Sequence, residues 1–195
     1  AAILDPLEVQ AARFFINGVR SKTQGIDIVA AYKARTENLG IFDFTVAANF
    51  NDIDVTRVPT STATLNPAPT LLGRARILTL EEGTPREKVS GALDWSGDAL
   101  GATLRATYYG SVNQPGSAAN GSADILTGKH VITDVELRYA PAKGAQIALG
   151  ASNLFDVYPD ATPAALNSTG VVGFPYYSPF GFNGRYLYAR IGLTW

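Results

Sequence analysis

His130 is the only histidine in the chain, and Asp134 follows it four residues later. On a helix that spacing would bring an imidazole and a carboxylate together for acid–base work. The segment around them alternates as a strand does, which keeps the two on one face but sets them roughly 13 Å apart. A Ser–His–Asp site would also need a serine from a neighbouring strand, and no Gly-x-Ser-x-Gly elbow is present. Asp52 and Asp54 offer two hard oxygen donors at the base of a loop, yet lack the further donors of a calcium loop and read as solvated. Asn120-Gly-Ser122 and Asn167-Ser-Thr169 match the glycosylation acceptor pattern and read as polar loop sequence. The sequence therefore points away from an enzyme, and implies no cofactor and no metal site.

Two other groups of residues remain. Tyr158, Phe174, Tyr176, Tyr177, Phe180 and Phe182 crowd into residues 153–183 and offer stacking and apolar surface for ligand contact, with self-packing of a compact loop as the competing reading. Asp134, Glu136, Arg138, Tyr188 and Arg190 share strand parity and form a candidate lumen-facing set. Such charges could bind a hydrated ligand; alternatively they satisfy one another and water.

The elements that would carry these residues are strands. Residues 184–195 alternate to the end: Leu187, Ala189, Ile191 and Leu193 are apolar, whereas Tyr188, Arg190, Gly192 and Thr194 are polar, small or amphipathic. Successive side chains thus face two solvents. A soluble edge strand of this kind would risk pairing with other chains, and closure into a barrel removes the edge. Leu193 and Trp195 are the residues expected to guide barrel assembly. Seven more strands are expected at Ala11–Ile16, Val19–Ala34, Gly40–Val55, Lys88–Trp95, Leu100–Asn113, His130–Tyr139 and Ala145–Ser152. Asn17-Gly18 suits a two-residue hairpin between the first two. Near Asp52 the alternation changes phase, as at a bulge or where a strand leaves the membrane.

Connections alternate in length. Four-residue turns at Thr36–Leu39, Ser96–Ala99 and Ala140–Lys143 contrast with 28, 16 and 31 residues at 58–85, 114–129 and 153–183. Short periplasmic turns and long external loops are the asymmetry of bacterial outer-membrane barrels. Leu71 to Glu82, inside the first long loop, fits either a short helix or a strand pair. Tyr32, Phe42, Trp95, Tyr139 and Trp195 fall near the short turns, with Phe50 and Tyr108 nearer the long loops, as interfacial girdles would.

Composition agrees. Of 195 residues 46% are apolar and 17% charged, against roughly 25% charged in soluble proteins. A net charge of -1 leaves no basic footprint for nucleic acid. No apolar run reaches about 18 residues, so a spanning helix is excluded while a barrel is not. The absence of cysteine excludes disulfides and thiolate metal sites without fixing a compartment. The absence of methionine suggests a processed product or a fragment.

Three segments carry a family resemblance: residues 15–28 (FINGVRSKTQGIDI), Leu149-Gly-Ala-Ser-Asn-Leu-Phe-Asp156, and Tyr177 through Tyr188 continuing to Trp195. In this order and spacing they resemble the C-terminal part of TonB-dependent outer-membrane receptors, with Asn153-Leu-Phe-Asp156 the most specific. The resemblance implies a 22-stranded barrel around a plug, and TonB-driven uptake of a scarce nutrient such as a ferric siderophore. Here it covers about the last eight strands of an all-β antiparallel barrel, a single incomplete domain over 1–195 without the plug. The implied partners are the rest of the barrel and its plug, TonB through that plug, a small-molecule or metal-chelate ligand, and outer-membrane lipid. A complete eight-stranded barrel with a structural or adhesive role is the alternative, since eight strands enclose an interior that side chains fill.

Either barrel makes Leu193 lipid-facing. Leu193→Arg is expected to lower the amount of folded protein in the outer membrane, at a cost of about 0–1 kcal/mol at the interface and about 2–4 at the midplane. Normal levels and normal heat-modifiable mobility of that variant would reverse the face assignment.

Overall fold

A computed structural model describes residues 18–58, 70–167 and 170–194. Nine strands and one helix follow in chain order: β1 (Arg20–Thr36), β2 (Gly40–Arg57), α1 (Arg74–Glu82), β3 (Glu87–Ser96), β4 (Leu100–Tyr109), β5 (Val112–Gln114), β6 (Ile125–Thr127), β7 (His130–Ala142), β8 (Ala145–Ser152) and β9 (Tyr186–Leu193). Seven of them make one antiparallel sheet in the order β1-β2-β3-β4-β7-β8-β9, while β5 and β6 form a separate ribbon. The expected strand Ala11–Ile16, Asn17 of its turn, and Trp195 lie outside the described residues.

Register fixes which side chains share a face. Tyr32, Phe44, Leu93, Leu104, Val135, Ala151 and Leu187 stand opposite one another in a row across all seven strands. One residue along each strand, the opposite face carries the row Lys33, Asp43, Asp94, Thr103, Glu136, Gly150 and Tyr188. Large residues of the apolar face are open to their surroundings: Ile26 is 63% exposed, Leu137 59%, Leu187 69% and Ile191 73%. Keeping such side chains in water forgoes about 1.5–3 kcal/mol each, so a contiguous face of them calls for lipid or another apolar cover. The largest fully buried side chains, Val112, Thr127 and Pro175, lie outside the seven-stranded sheet, among the loops at one end. Among the described residues no helix is long and apolar enough to cross a membrane.

Turns of three residues or fewer join β1 to β2, β3 to β4 and β7 to β8, and the three long connections gather at the other end. Two expected boundaries change. The span Leu100–Asn113 breaks at Gly110-Ser111, where the Gly110 N–H donates to the Glu87 carbonyl at 2.8 Å and the chain leaves the sheet to pair with β6. The turn at Ala140–Lys143 narrows to Lys143-Gly144 as β7 continues to Ala142. Pro141, which has no N–H for the ladder, sits in the register irregularity between Tyr139 and Ala142. Near Asp52 no bulge forms: β2 stays in register with β1 but loses β3 beyond Phe50, so this hairpin projects past the sheet. Near the short turns, Tyr32, Phe44, Phe42 and Trp95 form a chain of ring contacts at 6.3–6.5 Å, and the Trp95 indole N–H donates to the Leu39 carbonyl at 2.6 Å.

Candidate functional site

The polar face is organised around Glu136. The Tyr188 hydroxyl donates to its Oε2 at 2.9 Å, Arg190 donates to both its oxygens at 3.2 Å, and Arg138 approaches at 3.7 Å. Arg138 continues the network to Thr103 at 2.6 Å and Asp94 at 2.8 Å, and the Thr103 hydroxyl donates to Asp94 at 2.5 Å. Tyr188 and Arg138 each cross an intervening strand, and glycine makes room for them. A Cβ on Gly150 would collide with the Tyr188 ring, and one on Gly101 would lie 3.1 Å from Arg138 Nε. Four of the five proposed lumen residues thus form one network. Asp134 stands apart: its carboxylate accepts the Asn153 N–H at 2.9 Å. Thr103, Arg105, Asp134, Glu136, Tyr188 and Arg190 line an open cavity of about 310 Å³ on this face. Charged and wet, it suits a hydrated solute or a polar protein surface.

Asn153-Leu-Phe-Asp156 is a clasp at the base of the last loop. Asn153 and Asp156 take positive φ of 52° and 58°, a conformation Asn and Asp tolerate better than other side chains. The Asn153 amide exchanges two hydrogen bonds with the Val157 backbone, at 2.7 and 2.9 Å, and Asp156 accepts the Arg185 N–H at 2.8 Å.

The six loop aromatics divide. Tyr158 stacks on Phe174 at 5.5 Å and Phe174 on Phe182 at 6.3 Å. Phe180 instead lies 5.7 Å from the Tyr109 ring and edge-on to His130 at 5.3 Å. The Tyr177 hydroxyl pairs with Thr79 at 3.2 Å, while Tyr176 is 68% exposed. His130 Nε2 lies 3.6 Å from Asp160 Oδ2. Among the described residues no group of three or more His, Cys, Asp or Glu could hold a metal.

Residues 74–82 form helix α1, deciding between the two conformations open to that loop. Its side chains bind the layer together. Glu81 accepts the Val55 N–H at 2.8 Å, Glu82 accepts Asn113 at 3.0 Å, and Arg74 donates twice to Asp124 at 2.7 and 2.8 Å. The Arg74 hydrogen bonds foremost, and the Gly116 N–H next, hold the Asp124 carboxyl down to about 2. Sequence reading missed this pair, since a separation of fifty positions gives no periodic signal.

No family model and no curated protein sequence matches the chain. Solved structures do. The chain aligns with the ferripyoverdine receptor of the outer membrane of Pseudomonas aeruginosa at TM-score 0.57 and 14% identity, over 98% of its own length and 22% of that chain. For FpvAI in its complex with pyocin S2 the values are 0.54 and 14%, over 90% and 19%. For the copper transporter OprC they are 0.52 and 15%, over 90% and 24%. The fold is part of an outer-membrane β-barrel. The chain spans about a fifth to a quarter of the length of these structures, and at such identities the likeness concerns architecture alone.

Two outcomes follow from the geometry. Gly150→Val is expected to displace Tyr188 from Glu136 and cost about 1–3 kcal/mol, read as a lower unfolding midpoint in detergent micelles. Tyr188→Phe, which keeps the ring, should cost about the 1.5–3 kcal/mol of a hydrogen bond to a charged group at most; a Gly150→Val variant as stable as the parent would discount the close approach. Asp124, lowered in the fold, contributes stability that is present above its unfolded value of 3.8 and is lost as pH falls through about 2. Pepsin cleavage within residues 114–128 should therefore rise as pH drops from about 4 to about 2, and Asp124→Asn should flatten that dependence.

Proposed function

We propose that the chain is the C-terminal barrel segment of a TonB-dependent outer-membrane receptor that takes up a scarce nutrient, with a ferric siderophore or another metal chelate as the cargo class. The observation that carries this reading is one meander presenting two solvents' worth of side chains: an exposed apolar face, and a charged face whose residues reach across strands to one another. Among the described residues β1 and β9 stand at opposite edges of the sheet, and in this reading further strands enclose a lumen around that face. In this reading residues 1–195 are one incomplete domain, and the plug, the remaining strands and the TonB contact belong to other parts of the receptor. The loop aromatics Tyr158, Tyr176 and Phe182, each at least 36% exposed, are the groups of this segment offered to a ligand from outside. The names of two structurally similar proteins, a ferripyoverdine receptor and a copper transporter, suit a metal-related cargo without specifying it.

Intact mass and N-terminal sequencing of the native protein from purified outer membranes provide the test. A polypeptide several-fold heavier than 20.7 kDa carrying this sequence at its C-terminal end is the expected result. A product of 20.7 kDa beginning at Ala1, with no associated chain supplying plug and strands, would favour a self-contained small barrel and sink the uptake reading.

A further inference from the structure

Among the described residues Arg105 forms no ion pair and donates no hydrogen bond, although a carboxylate, Asp134 of β7, is its register partner. The corner after β8 explains why. Asp134 turns its carboxylate to the Asn153 N–H, which donates to it at 2.9 Å. On the other side Arg105 stands opposite Ala92 of β3, with Thr45 of β2 beyond, so neither strand supplies an acid in this row. The acids nearby are held by other donors. Asp94 accepts from Thr103 and Arg138, and Glu136 accepts from Tyr188 and Arg190. A guanidinium is thus left without an anion on a face where the other acids and cations of β3, β7 and β9 are tied together.

That guanidinium lines the open cavity of about 310 Å³, at the small end of the roughly 300–1,000 Å³ of small-molecule sites. Two further donors line it. The Ser152 hydroxyl makes no hydrogen bond among the described residues, and Arg190 commits only Nη2 to Glu136. An arginine fork matches a planar carboxylate with two parallel hydrogen bonds, and such charge-assisted pairs are stronger than neutral ones. Asp134 and Glu136 also line the cavity, which disfavours a centre that carries two negative charges, as phosphate does. One charge per group, spread over a plane, suits the space better.

We propose that Arg105 is the receiving group of a binding site for a carboxylate-bearing solute, with Ser152 and the open nitrogens of Arg190 as its further donors. Its use in contacting cargo rests on the uptake reading; the site itself does not. The test is calorimetric titration of the complete native protein, in detergent micelles at fixed ionic strength, with succinate and with succinamide as its uncharged counterpart. Succinate is expected to bind and succinamide not to, and Arg105→Gln should weaken succinate about tenfold or more, the loss of hydrogen bonds to a charged group. Lys33→Gln removes the same charge from the polar face outside the cavity and should leave the affinity unchanged; an equal loss there would reduce the effect to net charge and overturn the proposal. Equal binding of succinamide would overturn it too. So would a parent protein that binds no succinate, and a lower unfolding midpoint of Arg105→Gln in that case would assign Arg105 to a carboxylate of another part of the receptor. If Arg105→Gln fails to assemble, Arg105→Lys decides, since it keeps the charge and loses the fork: weaker succinate binding supports the site and unchanged binding removes it. Binding in micelles requires no transport. A protein that binds succinate through Arg105 but takes up no chelate loses the uptake reading and keeps the site, and one that takes up a chelate without binding succinate does the reverse.

Discussion

A peptide group in hydrocarbon has no water to bond, and every N–H and C=O that enters it must be paired within the protein. That constraint explains why the register of this sheet is so regular. Over Ser21 to Thr36 and Gly40 to Val55, the β1–β2 ladder runs without interruption, and the shifts that occur fall at Arg20 and at Pro141, near the ends of strands. Register then decides everything else, because a slip of one residue would exchange the faces and put Glu136 where Val135 stands.

With faces fixed, the polar side solves a second problem. Bringing Asp94, Glu136, Arg138 and Arg190 onto one wall would be unfavourable for isolated charges, and the network makes each acid a hydrogen-bond acceptor for at least one cation. Reaching a partner two strands away requires a flat path over the intervening strand, and Gly101 and Gly150 provide it. The small residues of this face are therefore part of the electrostatics, since a methyl group at either position would crowd the side chain lying across it. Side-chain Glu136 ends 15% exposed although its face is open, which shows how far neighbouring arms fold over it.

Sequence made the sheet legible where one rule acted alone. Period-two alternation located the seven strands of the sheet to within a few residues, and the apolar and polar parity of each matches the register. It failed where tertiary contacts overrode local pattern. Helix α1 has no apolar stripe, and its Glu81 and Glu82 are used as acceptors for distant groups, so nothing in its own twelve-residue neighbourhood separated helix from strand. Strand β5 continued an alternating pattern from β4 and was inseparable from it until Gly110 turned the chain away, and β6 lies in the connection 114–129 that was read as loop. The loop aromatics were found as a group, but their division into a stack of three, a wedge at Phe180 and a hydroxyl contact at Tyr177 depends on elements far away in sequence.

The most specific motif in the sequence proves to be about construction. Asn153 and Asp156 hold positive-φ positions and spend their side chains on backbone groups at Val157 and Arg185, while the Asn153 N–H is itself held by Asp134. Every one of these contacts serves to turn the chain out of β8 and deliver it to β9. The side chains of Asn153 and Asp156 are thus committed to the corner itself. The groups that the corner leaves uncommitted are the exposed rings of the loop above it and Arg105 beside the polar cavity, for which no ion pair is formed among the described residues.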